Sequence, residues 1–106
     1  MWEIVKTKLL EYIKSLECYH ELKYLPRRSG IYFVFDDKDD LVYIGKAVDC
    51  YKRWKGHQLK QAFTEEGWRL YFQQGKSEGY HKLEAEEGAY ILVFQPYVNK
   101  SVKVAL

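Results

Sequence analysis

A chain of 106 residues, 47% hydrophobic and 30% charged, has room for one self-sufficient core and lacks the charge excess and aromatic poverty of a disordered segment. Its net charge of +2 is too small to mark a nucleic-acid protein, so any electrostatic argument must rest on how the charges are distributed. The two cysteines, Cys18 and Cys50, have no paired spacing, which excludes a zinc site and a disulfide framework and points to a reducing cytoplasm.

Trp2, Val5, Leu9, Tyr12, Ile13 and Leu16 recur at three- and four-residue steps, the stripe of an amphipathic helix expected to pack on the domain. Charged residues interrupt that stripe throughout, so it is neither a signal peptide nor a membrane helix, and no membrane partner is expected. Residues 1–25 are read as a helical extension. Pro26 and the run Arg27, Arg28, Ser29, Gly30 then punctuate the chain before Ile31–Phe35, an apolar run suited to a buried strand. The acidic stretch Asp36, Asp37, Lys38, Asp39, Asp40 reads as a solvated turn. It lacks the glycine and glutamate offsets of a calcium loop, and Leu41–Ile44 completes a hairpin that ends at Gly45. Asp49 is a candidate N-cap for a helix to about Phe63, with Arg53 and His57 on one face. Trp68, Leu70 and Phe72 alternate with Arg69 and Tyr71 as a third strand, followed by a turn at Gln73, Gln74, Gly75. A final helix runs from about Tyr80 to Phe94 and stops before Pro96.

Three features stand out against this scaffold. On the last helix Leu83, Glu87, Tyr90 and Phe94 share a stripe, which puts a carboxylate where the core should be. Such a group must neutralise, pair with a cation or bind a metal, unless it sits at the stripe's edge and reaches water or a lysine. The segment from Lys46 to Lys60 holds Lys46, Lys52, Arg53, Lys55 and Lys60 against the single acid Asp49, so one face can be basic. Tyr32 and Tyr43 lie one on each strand of the hairpin. A basic helix face is ordinarily just solvated, and strand tyrosines are ordinarily just packed.

Taken together, Gly30, Ile31, Tyr32, ten intervening residues, and Tyr43, Ile44, Gly45, Lys46 resemble the paired signature of the GIY-YIG nuclease superfamily. Lys46, Ala47, Val48, Asp49 and Arg53 resemble its post-signature segment. Glu87, Tyr90, Ile91, Gln95, Pro96 and Asn99 resemble its glutamate helix with the proline and asparagine that follow. The likeness covers residues 30–99, is nearer to the nuclease domain of the bacterial excinuclease incision subunit, and is more distant to certain homing endonucleases.

The resemblance implies an α+β fold, with a three-stranded antiparallel sheet flanked by helices, in a single domain over 1–106 with its catalytic core at 30–99. It implies one divalent cation, Mg²⁺ or Mn²⁺, held by Glu87 and waters, and hydrolysis of a DNA phosphodiester bond, as in DNA repair. A hard cation that keeps several waters needs only one protein carboxylate when substrate phosphate is present. Arg53 is expected to bind the phosphate and stabilise charge in the transition state, with Lys46 and Asn99 as further substrate-binding or orienting groups. Tyr32 or Tyr43 is the family-type group for the attacking water. His57, where relatives carry histidine or tyrosine, is the more natural base near neutral pH, so the base stays divided between Tyr43 and His57. Target choice is expected to come from a separate domain or protein. Two rival readings are a catalytically silent nucleic-acid-binding module of the same fold and a protein-interaction domain using its aromatic surface. The presence of Tyr32, Tyr43, Arg53, Glu87 and Asn99 together argues against the first, and the second explains the 17% aromatic content but not the glutamate in the core stripe.

Overall fold

The computed structural model describes residues 2–75 and 80–99. Helix α1 (Trp2–Lys14) precedes strand β1 (Glu17–Tyr19) and a 3-10 turn (Leu22–Tyr24). A hairpin of β2 (Gly30–Phe35) and β3 (Leu41–Ala47) follows, then α2 (Cys50–Lys55), α3 (Lys60–Glu65), β4 (Arg69–Gln74) and α4 (Tyr80–Phe94). The strands form one sheet in the order β1-β4-β2-β3, and every neighbouring pair is antiparallel.

Alternation along β2 explains why its sequence reads as an unbroken apolar run: the strand is covered on both faces. Tyr32 and Val34 face a core with Trp54, Phe63, Leu70 and Phe72 beneath α2 and α3. Ile31, Phe33 and Phe35 face a second core with Ile13, Ile44, Tyr71 and Leu83 beneath α1 and α4. Each such large apolar side chain taken out of water contributes about 1.5–3 kcal/mol, so the hairpin is fixed from both sides. Its turn is acidic for a local reason: the Asp36 carboxylate accepts from the backbone N–H groups of Lys38 and Asp40 at 3.0 and 2.9 Å. Asp39 takes a positive φ of 69°, a conformation that aspartate tolerates better than most residues. Its carboxylate also pairs with Lys14 of α1 and Arg69 of β4.

The structure corrects four local expectations. The sheet has four strands rather than three, because Glu17–Tyr19 leaves the N-terminal segment to pair with the outer edge of β4, Glu17 opposite Phe72 and Tyr19 opposite Leu70. Three residues carry no alternation of their own, and the pairing arises from the edge they meet. The helix expected from Asp49 to Phe63 is two short helices, since α2 ends at Lys55 and Gly56–Leu59 turn the chain before α3. Asp49 does cap α2, its carboxylate accepting from the N–H of Lys52 at 3.0 Å. Gln73 and Gln74 extend β4 instead of forming a turn. Within the α1 stripe only Ile13 is fully buried, while Trp2 and Val5 remain exposed, so the helix docks by its C-terminal end.

Candidate active site

The two signature glycines have a steric explanation. Tyr32 on β2 lies directly opposite Gly45 on β3, and a Cβ at position 45 would fall 2.3 Å from the Tyr32 ring. At position 30 a Cβ would fall 2.2 Å from the carbonyl oxygen of Gln73 on β4. The missing side chains therefore let β2 sit against β4 and let the Tyr32 ring lean over β3 toward Tyr43, with ring centroids 6.1 Å apart.

His57 lies beyond the end of α2, so the shared face with Arg53 expected from a continuous helix does not exist. Its ring turns under the helix and stacks on Trp54, centroids 4.1 Å apart and planes within 11°. The edge of the stack meets Tyr43 at 5.4 Å and Tyr32 at 6.2 Å. Nδ1 accepts from the N–H of Leu59 at 3.0 Å, which places the proton of the neutral ring on Nε2, and Nε2 is buried with no hydrogen-bond partner. Burial, with Arg53 adding to it, pushes the imidazole down to about 4. His57 is thus neutral at pH 7 with its lone pair committed to the backbone. Trp54, which orients it, was not picked out from sequence. Its only trace there is a four-residue step from Cys50 on a helix whose other residues are mostly basic.

On the opposite face of β3, Lys46 reaches the Glu87 carboxylate of α4, with Nζ 3.2 Å from Oε1 and both side chains less than one-fifth exposed. The out-of-place carboxylate is therefore partnered by a lysine, and among the described residues only Oε1 of Glu87 has a hydrogen bond. Lys46 also lines an open groove of about 480 Å³ with Ala47, Val48, Asp49, Lys52 and Arg53. Arg53 is exposed there and makes no hydrogen bond or ion pair among the described residues.

Tyr43 ties the two faces together. Burial raises its phenol above the usual value, Arg53 opposes that rise and Glu87 adds to it, so the guanidinium and the carboxylate each lie within Coulombic reach of the phenol. Tyr32, nearly fully buried, is raised well above the ordinary tyrosine value, first by burial and then by Tyr43. Neither phenol is a ready base at neutral pH in this electrostatic setting.

Asn99 is 7% exposed and spends its amide on one residue: Oδ1 accepts from the Ile44 N–H at 2.7 Å and Nδ2 donates to the Ile44 carbonyl at 2.8 Å. It pairs with the free edge of β3 as another strand would, one residue from Tyr43.

The donor set suits a hard cation better than zinc or an all-protein calcium cage. Glu87 is a single carboxylate on Lys46, a residue of the open groove that Asp49 also lines, and there is no cluster of three His, Cys, Asp or Glu residues among the described residues.

An antiparallel α+β sheet whose edge hairpin bears both signature tyrosines, flanked by an arginine helix and a glutamate helix, is the GIY-YIG nuclease fold. The model of the GIY-YIG catalytic domain matches residues 28–99, and the chain belongs to that family. Among solved structures it is similar to the N-terminal GIY-YIG endonuclease domain of UvrC from Thermotoga maritima. The magnesium-bound form gives a TM-score of 0.55 at 22% identity over 82% of this chain and 94% of that one. A tyrosine-to-phenylalanine variant of the same domain, bound to its catalytic divalent cation, gives 0.55 at 22% over 72% and 87%. No curated protein matches the sequence. No helix among the described residues is long and apolar enough to cross a membrane.

Proposed function

We propose that this domain is a metal-dependent endonuclease that hydrolyses phosphodiester bonds in DNA. The observation that carries the reading is the meeting of Tyr43, Arg53, Lys46 and Glu87 at one edge strand, in a chain of this family. Arg53, exposed over the groove and unpaired among the described residues, binds the scissile phosphate and offsets charge that builds in the transition state. Lys46 supports the same phosphate once it yields the Glu87 carboxylate. A hard divalent cation, Mg²⁺ or Mn²⁺, held by Glu87 with waters and substrate phosphate, would polarise the phosphodiester and stabilise the leaving oxygen.

Between the two candidate bases, the geometry favours Tyr43. His57 has its acceptor nitrogen on a backbone N–H and serves to hold the Tyr43 edge of the Trp54 stack in place. Tyr43 orients the attacking water; burial is the main cause that keeps its phenol protonated, Arg53 opposes it, and offsetting the negative charge of Glu87 eases it further toward the phenolate. Tyr32 packs behind it, and Asn99 fixes the strand that carries it. The unit of function is the single domain over 1–106, with target choice supplied by a separate domain or protein.

The test is cleavage of labelled linear, nicked and branched DNA with Mg²⁺ or Mn²⁺ and with chelator, by wild type, Glu87→Gln and Arg53→Ala. Cutting that needs metal and disappears in both variants is the expected result. A silent DNA-binding module is favoured by one observation, the Lys46 ammonium sitting where a cation would sit. Such a module would bind DNA equally with and without metal, tolerate Glu87→Gln, and cut none of the three substrates.

A further inference from the structure

Helix α2 is a ridge between two grooves, and its cations go to both. Lys52 and Arg53 line the groove they share with Lys46, whereas Lys55 lines a second groove of about 210 Å³ with Leu22, Lys23, Tyr51, Trp54 and Lys60. Among the described residues no carboxylate lines this second groove. Glu21, which is exposed, approaches the Lys23 ammonium only to 3.9 Å, at the outer limit of an ion pair.

Its cations each have a ring or carbonyl neighbour. The Lys55 ammonium lies 5.2 Å from the centroid of the Tyr51 ring, and the Arg27 guanidinium is seated on the same ring at 4.3 Å. The Lys60 ammonium donates to the carbonyl of Lys55 at the end of α2, at 3.5 Å. The Lys23 ammonium lies 5.2 Å from the ring of Tyr24. Backbone bonds from Tyr51 to Pro26 at 3.0 Å and from Cys50 to Arg28 at 3.2 Å fasten the Arg27 loop to the start of α2. The result is a row of exposed positive charge on an aromatic base, borne in part by the same helix that carries Arg53.

We infer that this second groove, formed by Lys23, Lys55 and Lys60 around Tyr51, binds the phosphate backbone of the DNA substrate away from the bond being cut. The inference rests on the nuclease reading for the identity of the polyanion. A sugar-phosphate backbone is the partner it fits because the groove offers point charges without a directional acceptor, and such contacts position a nucleic acid without reading its sequence.

The experiment compares wild type with a Lys23→Gln, Lys55→Gln, Lys60→Gln triple variant and with a control of equal charge loss, Lys6→Gln, Lys8→Gln, Lys38→Gln. A mixed-sequence DNA duplex is titrated in chelator across a range of salt. Each phosphate contact contributes roughly 0.9 to the slope of log affinity against log salt, so losing three contacts should lower that slope by up to about 2.7. The control should keep the wild-type slope, and single-turnover cutting at saturating DNA should be unchanged in the triple variant. A triple variant that is folded by circular dichroism and keeps the wild-type slope overturns the inference, as does a control that loses as much. If wild type cuts but the slopes agree, only this inference fails. If the slope falls as expected but nothing is ever cut, the groove stands and the nuclease reading fails.

Discussion

The Tyr32 ring can lean over β3 because residue 45 has no side chain. A methyl group there would fall inside the ring, and the ring is walled by Trp54 and His57, so it has nowhere to retreat. Overpacking of this kind costs about 1–3 kcal/mol. Gly45→Ala should therefore lower the unfolding free energy measured by urea denaturation by that amount and abolish cutting even where the variant is folded, since Tyr43 is displaced with Tyr32. A variant that melts and cuts like wild type would mean that the ring packs elsewhere. His57 makes a second residue-scale prediction. Its folded value of about 4 lies below the ordinary 6.5, so between those pH values the unfolded chain binds more protons than the folded one. Stability thus rises with pH across that window and is fully present above 6.5, a contribution of at most about 3 kcal/mol. His57→Phe should keep the stack on Trp54 and flatten this part of the profile, as read by chemical denaturation at pH 4 to 7. An unchanged slope would show that the imidazole titrates freely in the folded state.

At the scale of elements, what could be read from the chain depended on whether an element carries its own pattern. The hairpin and α4 did: β2 and β3 are long apolar runs around a turn whose aspartates bond the backbone, and α4 spans Tyr80–Phe94 as its periodicity and Pro96 indicate. The order of Tyr32, Tyr43, Arg53 and Glu87 was legible for the same reason, because each sits on one of those elements or on the helix just after them. β1 was not legible, since three residues are ordered only by the edge of β4. Nor was the break after Lys55, where His57 gives up the helix to stack beneath Trp54 and form a backbone bond through Leu59. Spacing alone put His57 beside Arg53, and packing moved it. Asn99 shows an intermediate case, in which the residue was singled out but its partner, the backbone of Ile44, could only be known in three dimensions. Asn99→Ala leaves both of those buried backbone groups without a partner on that side, a loss on the order of 1–3 kcal/mol. Asn99→Asp should recover only the bond from the Ile44 N–H. Hydrogen exchange at the Ile44 amide is the direct readout. Slow exchange retained in the alanine variant would exclude the clasp.

For the whole molecule the open question is where the folding unit begins. The family match starts at residue 28, and sequence patterning assigned 1–25 to an extension, yet the structure threads that segment through both cores. Ile13 is fully buried against Phe33 and Phe35 on the α4 side, and Leu25 is 4% exposed beneath α2 on the other. Between them β1 covers the edge of β4, and Arg28 holds Glu17 at 2.7 Å while also donating to Gln74. Emptying a buried aliphatic site costs about 2–5 kcal/mol. Two such sites and an edge strand together are comparable with the entire stability of a small domain, about 5–15 kcal/mol. Removing residues 1–25 should therefore leave a chain without a cooperative thermal transition. Removing only 1–8, whose Trp2, Ile4 and Val5 are exposed, should cost on the order of 1 kcal/mol. Circular dichroism melts of the two truncations decide the matter, for if the 26–106 chain melts cooperatively near wild type, Ile13, β1 and Leu25 decorate the domain rather than build it.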